Sequence, residues 1–177
     1  MEAHTAAGKL QGMKEDALWY EAASVVGITN ALNVVADGLP AEILPPPAEP
    51  ADEARAVFDE IRAFYGHVPA PFLTLAHDPG YLADFWAALR HAFDDHALTR
   101  RLKEALAFAV SLTSRSRFGT ALHLEQMRRL GVGSQGLMEI IGVTQVFSSY
   151  TKIADTLQLE SDMGAIAPID RTPVPGT

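Results

Sequence analysis

The sequence predicts an all-α protein, and three observations carry that reading. Apolar residues recur at three- and four-residue spacing along most of the chain, the period of a helix with one buried face. Helix punctuation falls between those runs: Gly12, Gly66 and Gly131 where runs end, Asp78-Pro79 and Thr99 where they begin. No segment alternates convincingly with a period of two, and apolar pairs such as Val25-Val26 fit a helical stripe better than a strand.

Taken in order, Ala3 to Gln11 reads as a short helix ended by Gly12, and Lys14 to Ala36 as a long one closed by Gly38 and Pro40. Its apolar stripe is Leu18, Ala22, Val25, Val26, Ile28, Leu32 and Val35. Residues 39–50, LPAEILPPPAEP, hold five of the eleven prolines, whose fixed φ and missing donors suit an extended connector. Ala51 to Tyr65 is amphipathic, with Ala54, Val57, Phe58, Ile61 and Phe64 or Tyr65 inward. Pro69 and Pro71 force a turn over residues 67–71, and Phe72 to Ala76 fits one helical turn. Asp78 then caps a helix that Pro79 opens, running through about His96 with Leu82, Phe85, Trp86, Leu89 and Phe93 on its core side. Thr99 caps the next helix, which ends near Thr113 or Ser114, and another spans Ser116 to Leu130. Ser134 reads as the cap of a last long helix through about Leu157, with Leu137, Ile140, Ile141, Thr144, Phe147 and Ile153 inward. The tail from Ala165, with three prolines, reads as loosely held.

A chain of 177 residues with 48% hydrophobic and 20% charged residues is large enough for a real core and too apolar for disorder. The net charge of -8 and the scatter of the fourteen Lys and Arg argue against a nucleic-acid partner. The first residues lack a basic segment followed by an apolar one, and no apolar run is long enough to cross a bilayer, so no signal peptide and no membrane partner are expected and the protein reads as cytoplasmic. The absence of cysteine excludes disulfides, thiolate ligands and a cysteine nucleophile. No metal site and no cofactor are expected. His91, Asp94, Asp95 and His96 look metal-like, but two histidines five apart do not share a helix face, and the glycines form no phosphate-cradling pattern. Trp19 and Trp86 read as core.

The chemistry concentrates between Leu102 and Gly131. Leu102, Leu106, Ala109 and Val110 give a face that wants burial, yet Glu104 lies within that run below Phe108 and Ser111. On the following helix Ser116, Gly119, His123 and Met127 form one stripe, so packing of the two helices would let Glu104 meet His123. A buried glutamate needs a partner in any case. Glu104, Ser116 and His123 are the candidate catalytic residues. Each also has a structural reading: Glu104 as a paired carboxylate, His123 as a hydrogen-bonding core histidine, and Ser116 as a helix N-cap. Gly119 inside a helix points to close packing or a vacated site.

A repeat is also legible. Residues 4–42 lie on residues 123–160 with one residue of slippage: His4 on His123, Gly12 on Gly131, Val35-Ala36-Asp37 on Ile153-Ala154-Asp155. Nothing before His4 corresponds to Glu104 through Leu122. Either the chain has lost it or the sequence begins part-way through a longer parent. The expected organisation is a partial first repeat over 1–42, a proline-rich connector over 43–50, a second repeat over 51–160 and a tail over 161–177.

The array Glu104, Ser116, Gly119, His123, Gly131 resembles the signature of the carboxymuconolactone decarboxylase and alkylhydroperoxidase D-like family. That resemblance implies an all-helical fold, commonly of two such repeats and usually assembled as a homo-oligomer, with a small-molecule substrate. In its peroxidase branch a glutamate precedes the first cysteine of a CxxC pair by twelve residues, and a histidine follows the second by four. Glu104 to Ser116 and Gly119 to His123 keep both spacings here while both sulfurs are gone. The lineage implies a peroxiredoxin-type activity in which a thiolate attacks peroxide and a second thiol resolves it. Serine has no comparable oxidation ladder and glycine no side chain, so the chain is expected to be inactive as a thiol peroxidase. Two alternatives stay open. One is a cysteine-independent, decarboxylase-like enzyme using Glu104 and His123, with Arg115 and Arg117 as the nearest cations in sequence. The other is a non-catalytic oligomeric or binding subunit.

Overall fold

A computed structural model describes residues 15–159. The short helix expected over Ala3–Gln11, His4 and the tail from Ala165 lie outside the described residues. Among those described there are seven helices and no strand: α1 Asp16–Gly38, α2 Asp52–Tyr65, α3 Ala70–Leu75, α4 Pro79–Phe93, α5 Arg100–Ser114, α6 Arg117–Arg129 and α7 Ser134–Thr156. The fold is all-α, as the periodicity indicates.

Local chemistry sets most of the boundaries. The Asp78 carboxylate accepts from Tyr81 N at 3.0 Å with Pro79 at the first helical position, and Thr99 Oγ1 accepts from Leu102 N at 3.4 Å. Gly66 closes α2 at φ +83°, a left-handed conformation that glycine adopts without a Cβ clash. The Arg129 guanidinium lies over this glycine and donates to Tyr65 O, which ties the end of α6 to the end of α2.

Three boundaries depart from the sequence reading. α3 begins at Ala70, so Pro71 sits inside its first turn, where its missing N–H would have had no intrahelical partner. α4 stops at Phe93 instead of His96, and the bend after it brings the His91 and His96 rings to 5.5 Å. Among the described residues no group of three or more His, Asp or Glu is placed to hold a metal ion. In α7 the cap is Gly133, without a side-chain bond, and Ser134 is already helical.

The core is aromatic. Phe58, Ile61 and Tyr65 of α2, Phe72 of α3, and Leu82, Trp86, Leu89 and Phe93 of α4 are buried together with Val25 and Leu32 of α1. Phe72 meets Trp86 edge-on, with ring centroids 5.9 Å apart, and the Trp86 indole N–H donates to Glu60 Oε2 at 2.9 Å. Against this block α1 packs across α4, α5 and α6, and α5 and α6 form the closest helix pair. A smaller cluster of Phe108, Met127 and Val132 carries α7, whose Leu137, Ile140 and Ile141 are half-buried on it.

Two faces are turned differently from the sequence reading. In α5 the inward residues are Lys103, Glu104, Ala107, Phe108 and Ser111, while Leu102 is 47% exposed and Leu106, Ala109 and Val110 are half-buried. In α7 no residue is fully buried, and Phe147 and Ile153, read as core, are 52% and 55% exposed. Inward polar groups on α5 are tolerated because each finds a partner. Lys103 Nζ, wholly buried, pairs with Glu21 Oε2 of α1 at 2.9 Å and donates to Asp94 O.

Glu21 also accepts from Ala97 N at 2.8 Å and Leu98 N at 3.0 Å, fixing the bend that leads into α5. Burial alone pushes this carboxyl up, but the Leu98 and Ala97 amides and the Lys103 ammonium together outweigh it, lowering the pKa from 4.5 to about 2. A carboxylate with a depressed folded-state pKa stabilises the fold above its unfolded value and loses that contribution as it protonates. Stability is therefore expected to fall as pH drops from 4.5 towards 2. Glu21→Gln, which cannot titrate, is expected to be less stable at neutral pH and to flatten this part of the profile. Denaturant midpoints of both proteins across that range check it; parallel curves would be the contrary result.

Candidate functional site

The antiparallel pair α5–α6 brings an acid and an imidazole together. Glu104 is 0% exposed and His123 1%, and His123 Nδ1 lies 2.7 Å from Glu104 Oε2. The other carboxylate oxygen receives Arg100, with Nη2 at 2.5 Å and Nε at 2.8 Å. Arg100 and Glu104 are one helical turn apart on α5, so this clamp follows from i, i+4 spacing. Its guanidinium lies 3.9 Å from the Phe64 ring centroid and 5.1 Å from that of Phe93. Phe93 in turn stacks on His123, with centroids 5.9 Å apart and planes 8° from parallel. The imidazole is therefore held in plane by a carboxylate and on one face by a phenyl ring.

With Nδ1 held by the carboxylate, the second ring nitrogen is the one left to act. Among the described residues His123 Nε2 is buried and makes no hydrogen bond, and the Tyr65 hydroxyl and Gln126 Nε2 are likewise buried without partners. Gln126 lies three residues beyond His123, on the same side of α6. Burial, together with the negative charge of Glu104, pushes the Tyr65 phenol above its ordinary pKa, with Arg100 opposing. It therefore stays a protonated donor at neutral pH.

Ser116 is not joined to this imidazole. It is 1% exposed and precedes α6 in an extended conformation, and its Oγ accepts from Gly119 N at 3.1 Å. That is an N-cap, and the lack of any bond to His123 Nε2 leaves no serine–histidine nucleophile pair. Gly119 is closely packed: a Cβ there would lie 2.0 Å from Asn33 Oδ1 and 2.4 Å from Ser111 Oγ. The Asn33 amide is held by Nδ2 bonds to Ser111 Oγ at 3.1 Å and Ser114 Oγ at 3.2 Å. Arg115 points elsewhere, ending α5 in the left-handed region at φ 62° and lining a surface cleft with Lys152.

Sequence reasoning missed Arg100, Phe93, Tyr65, Gln126 and Asn33. Arg100 had a signal in its spacing to Glu104, and Asn33 in being an amide inside an apolar helix.

Residues 79–159 match the model of the carboxymuconolactone decarboxylase family. That segment, which carries Glu104, Ser116 and His123, is what the chain has in common with this family. No curated protein matches the chain, and no solved structure does.

Proposed function

We propose that this chain works without sulfur, as an acid–base enzyme of the decarboxylase type acting on a small carboxylated molecule. The observation that carries the reading is the buried imidazole whose Nδ1 is fixed by Glu104 and whose Nε2 has no partner among the described residues. Native cores rarely leave such an atom unsatisfied, so an orphaned one marks a place for a ligand group or for chemistry. In this reading the C–C bond to the substrate carboxylate breaks and carbon dioxide leaves. The bonding pair passes into a conjugated carbonyl, and the imidazolium Nε2–H returns a proton to carbon. Solvent then reprotonates the ring; one proton is taken up per carbon dioxide released, and no oxidant or reductant is needed. Glu104 orients the ring through Nδ1, while Arg100 holds the Glu104 carboxylate in place through its other oxygen. Ser116 caps the helix that carries His123. Both acid and imidazole are buried, so substrate entry requires neighbouring side chains to part.

Purified protein is expected to release carbon dioxide from some member of a panel of carboxylated lactones. His123→Gln, which retains a donor to Glu104, is expected to lower that rate at least a hundredfold, as loss of a general acid does, with an unchanged helical spectrum. Peroxide consumption with a dithiol donor is expected to be absent from metal-free protein. No turnover in the panel, or turnover indifferent to His123→Gln, would remove the reading.

A second reading, a non-catalytic oligomeric or binding subunit, is favoured by α7 and its long exposed apolar stripe. Assembly into a homo-oligomer, a cytoplasmic location, and the division into a partial repeat over 1–42, a connector over 43–50, a second repeat over 51–160 and a tail over 161–177 belong to the same proposal. No described helix is long and apolar enough to cross a membrane.

A further inference from the structure

The helices α1 and α7 are both 23 residues long, and at a constant register from Asp16 on Ser134 to Gly38 on Thr156 they share landmarks. Glu21 falls on Glu139, Val25 on Val143, Ile28 on Val146, Leu32 on Tyr150, Val35 on Ile153 and Leu39 on Leu157. In α1 this stripe enters the core, with Val25 0% and Leu32 1% exposed. In α7 the same stripe is bare: Val143 is 60%, Val146 64%, Tyr150 66%, Ile153 55% and Leu157 63% exposed. It lies opposite the face of α7 that rests on Phe108 and Met127 through Ile140 and Ile141. A solvated helix face does not carry five large apolar residues at alternating three- and four-residue spacing; that is the seam of a helix pair.

We infer that α7 packs antiparallel against α7 of a second copy, about a two-fold axis near Ser148 and Ser149. This deepens the assembly part of the reading above and is independent of the acid–base part. The sequence of α7 is complementary to itself in that arrangement. Val143 faces the partner's Ile153 and Val146 the partner's Tyr150, each layer occurring twice, with Leu157 and Glu139 closing the ends. One flank of the seam is Gly142, Ser149 and Thr156, small and uncharged, which lets two helices approach; the other carries Phe147. Lys152 and Asp155 lie off the seam and Glu139, at its end, faces the partner's Leu157, so self-pairing sets no like charges together. An apolar groove between α5 and α7, lined by Val26, Leu106, Val110, Val143 and Phe147, widens the contact beyond the two helices.

The chain contains no cysteine, so one introduced thiol reports one contact. In the full chain under oxidising conditions, Ser149→Cys is expected to form a disulfide-linked dimer in most of the protein. Gln135→Cys, about 20 Å from the axis along the helix, is expected to remain unlinked. By sedimentation, Val146→Glu is expected to halve the mass of the wild-type assembly with helicity retained. A wild-type assembly that Ser149→Cys does not cross-link and Val146→Glu leaves at the same mass would overturn this interface and leave oligomerisation standing. A monomeric wild type would overturn both.

Discussion

Replacing Glu104 by alanine is expected to destabilise the fold by about 3–5 kcal/mol, the usual consequence of removing one member of a buried ion pair. The reason lies in what remains. Arg100, with a side chain only 18% exposed, would lose two hydrogen bonds to one carboxylate oxygen, and His123 would have both ring nitrogens buried and unpartnered. Leaving a buried donor unsatisfied costs about 1–3 kcal/mol by itself, and the cavity left by the side chain adds to it. Glu104→Gln keeps the shape and one acceptor, so it is expected to lie between wild type and alanine. Urea denaturation followed by circular dichroism reads the difference directly. A loss under about 1 kcal/mol for Glu104→Ala would mean that the carboxylate does not hold this part of the core.

Gly119→Cys, which restores a thiol where the resemblance places the family's second cysteine, is expected to cost on the order of 3 kcal/mol. Its Cβ would fall 2.0 Å from Asn33 Oδ1 and 2.4 Å from Ser111 Oγ, well inside contact distance. Asn33 would have to move and give up its bonds to Ser111 and Ser114, or α1 would have to shift away from α6. Trimming Asn33 and Ser111 to alanine in the same chain is expected to return part of the loss, a favourable coupling that a mutant cycle isolates. Additive effects would show that the crowding is relieved by other means. Putting cysteines at 116 and 119 without those two changes is therefore expected not to regenerate a working dithiol.

Much of this site is legible in the sequence. Spacing alone put Glu104 and His123 on facing helices, and the serine at 116 was legible as a cap, because these depend on geometry within a helical hairpin. The failures share a cause. The apolar Leu102–Val110 side of α5 looked inward, but the polar side goes in because Glu21 and Asn33, far away in sequence, arrive with partners for Lys103 and Ser111. Periodicity also does not rank the two apolar stripes of α7, so Phe147 and Ile153 read as core although both are exposed. Composition reports that a stripe is apolar, while which neighbour covers it is decided by tertiary packing.

The buried lysine carries a lesson about where this molecule can be cut. Its counter-ion comes from residue 21 and the amide over Gly119 from residue 33, whereas the recognisable family segment begins at residue 79. An excised piece with those borders would enclose an ammonium group with no carboxylate to answer it. The cooperative folding unit therefore extends well upstream of the stretch that similarity alone delimits.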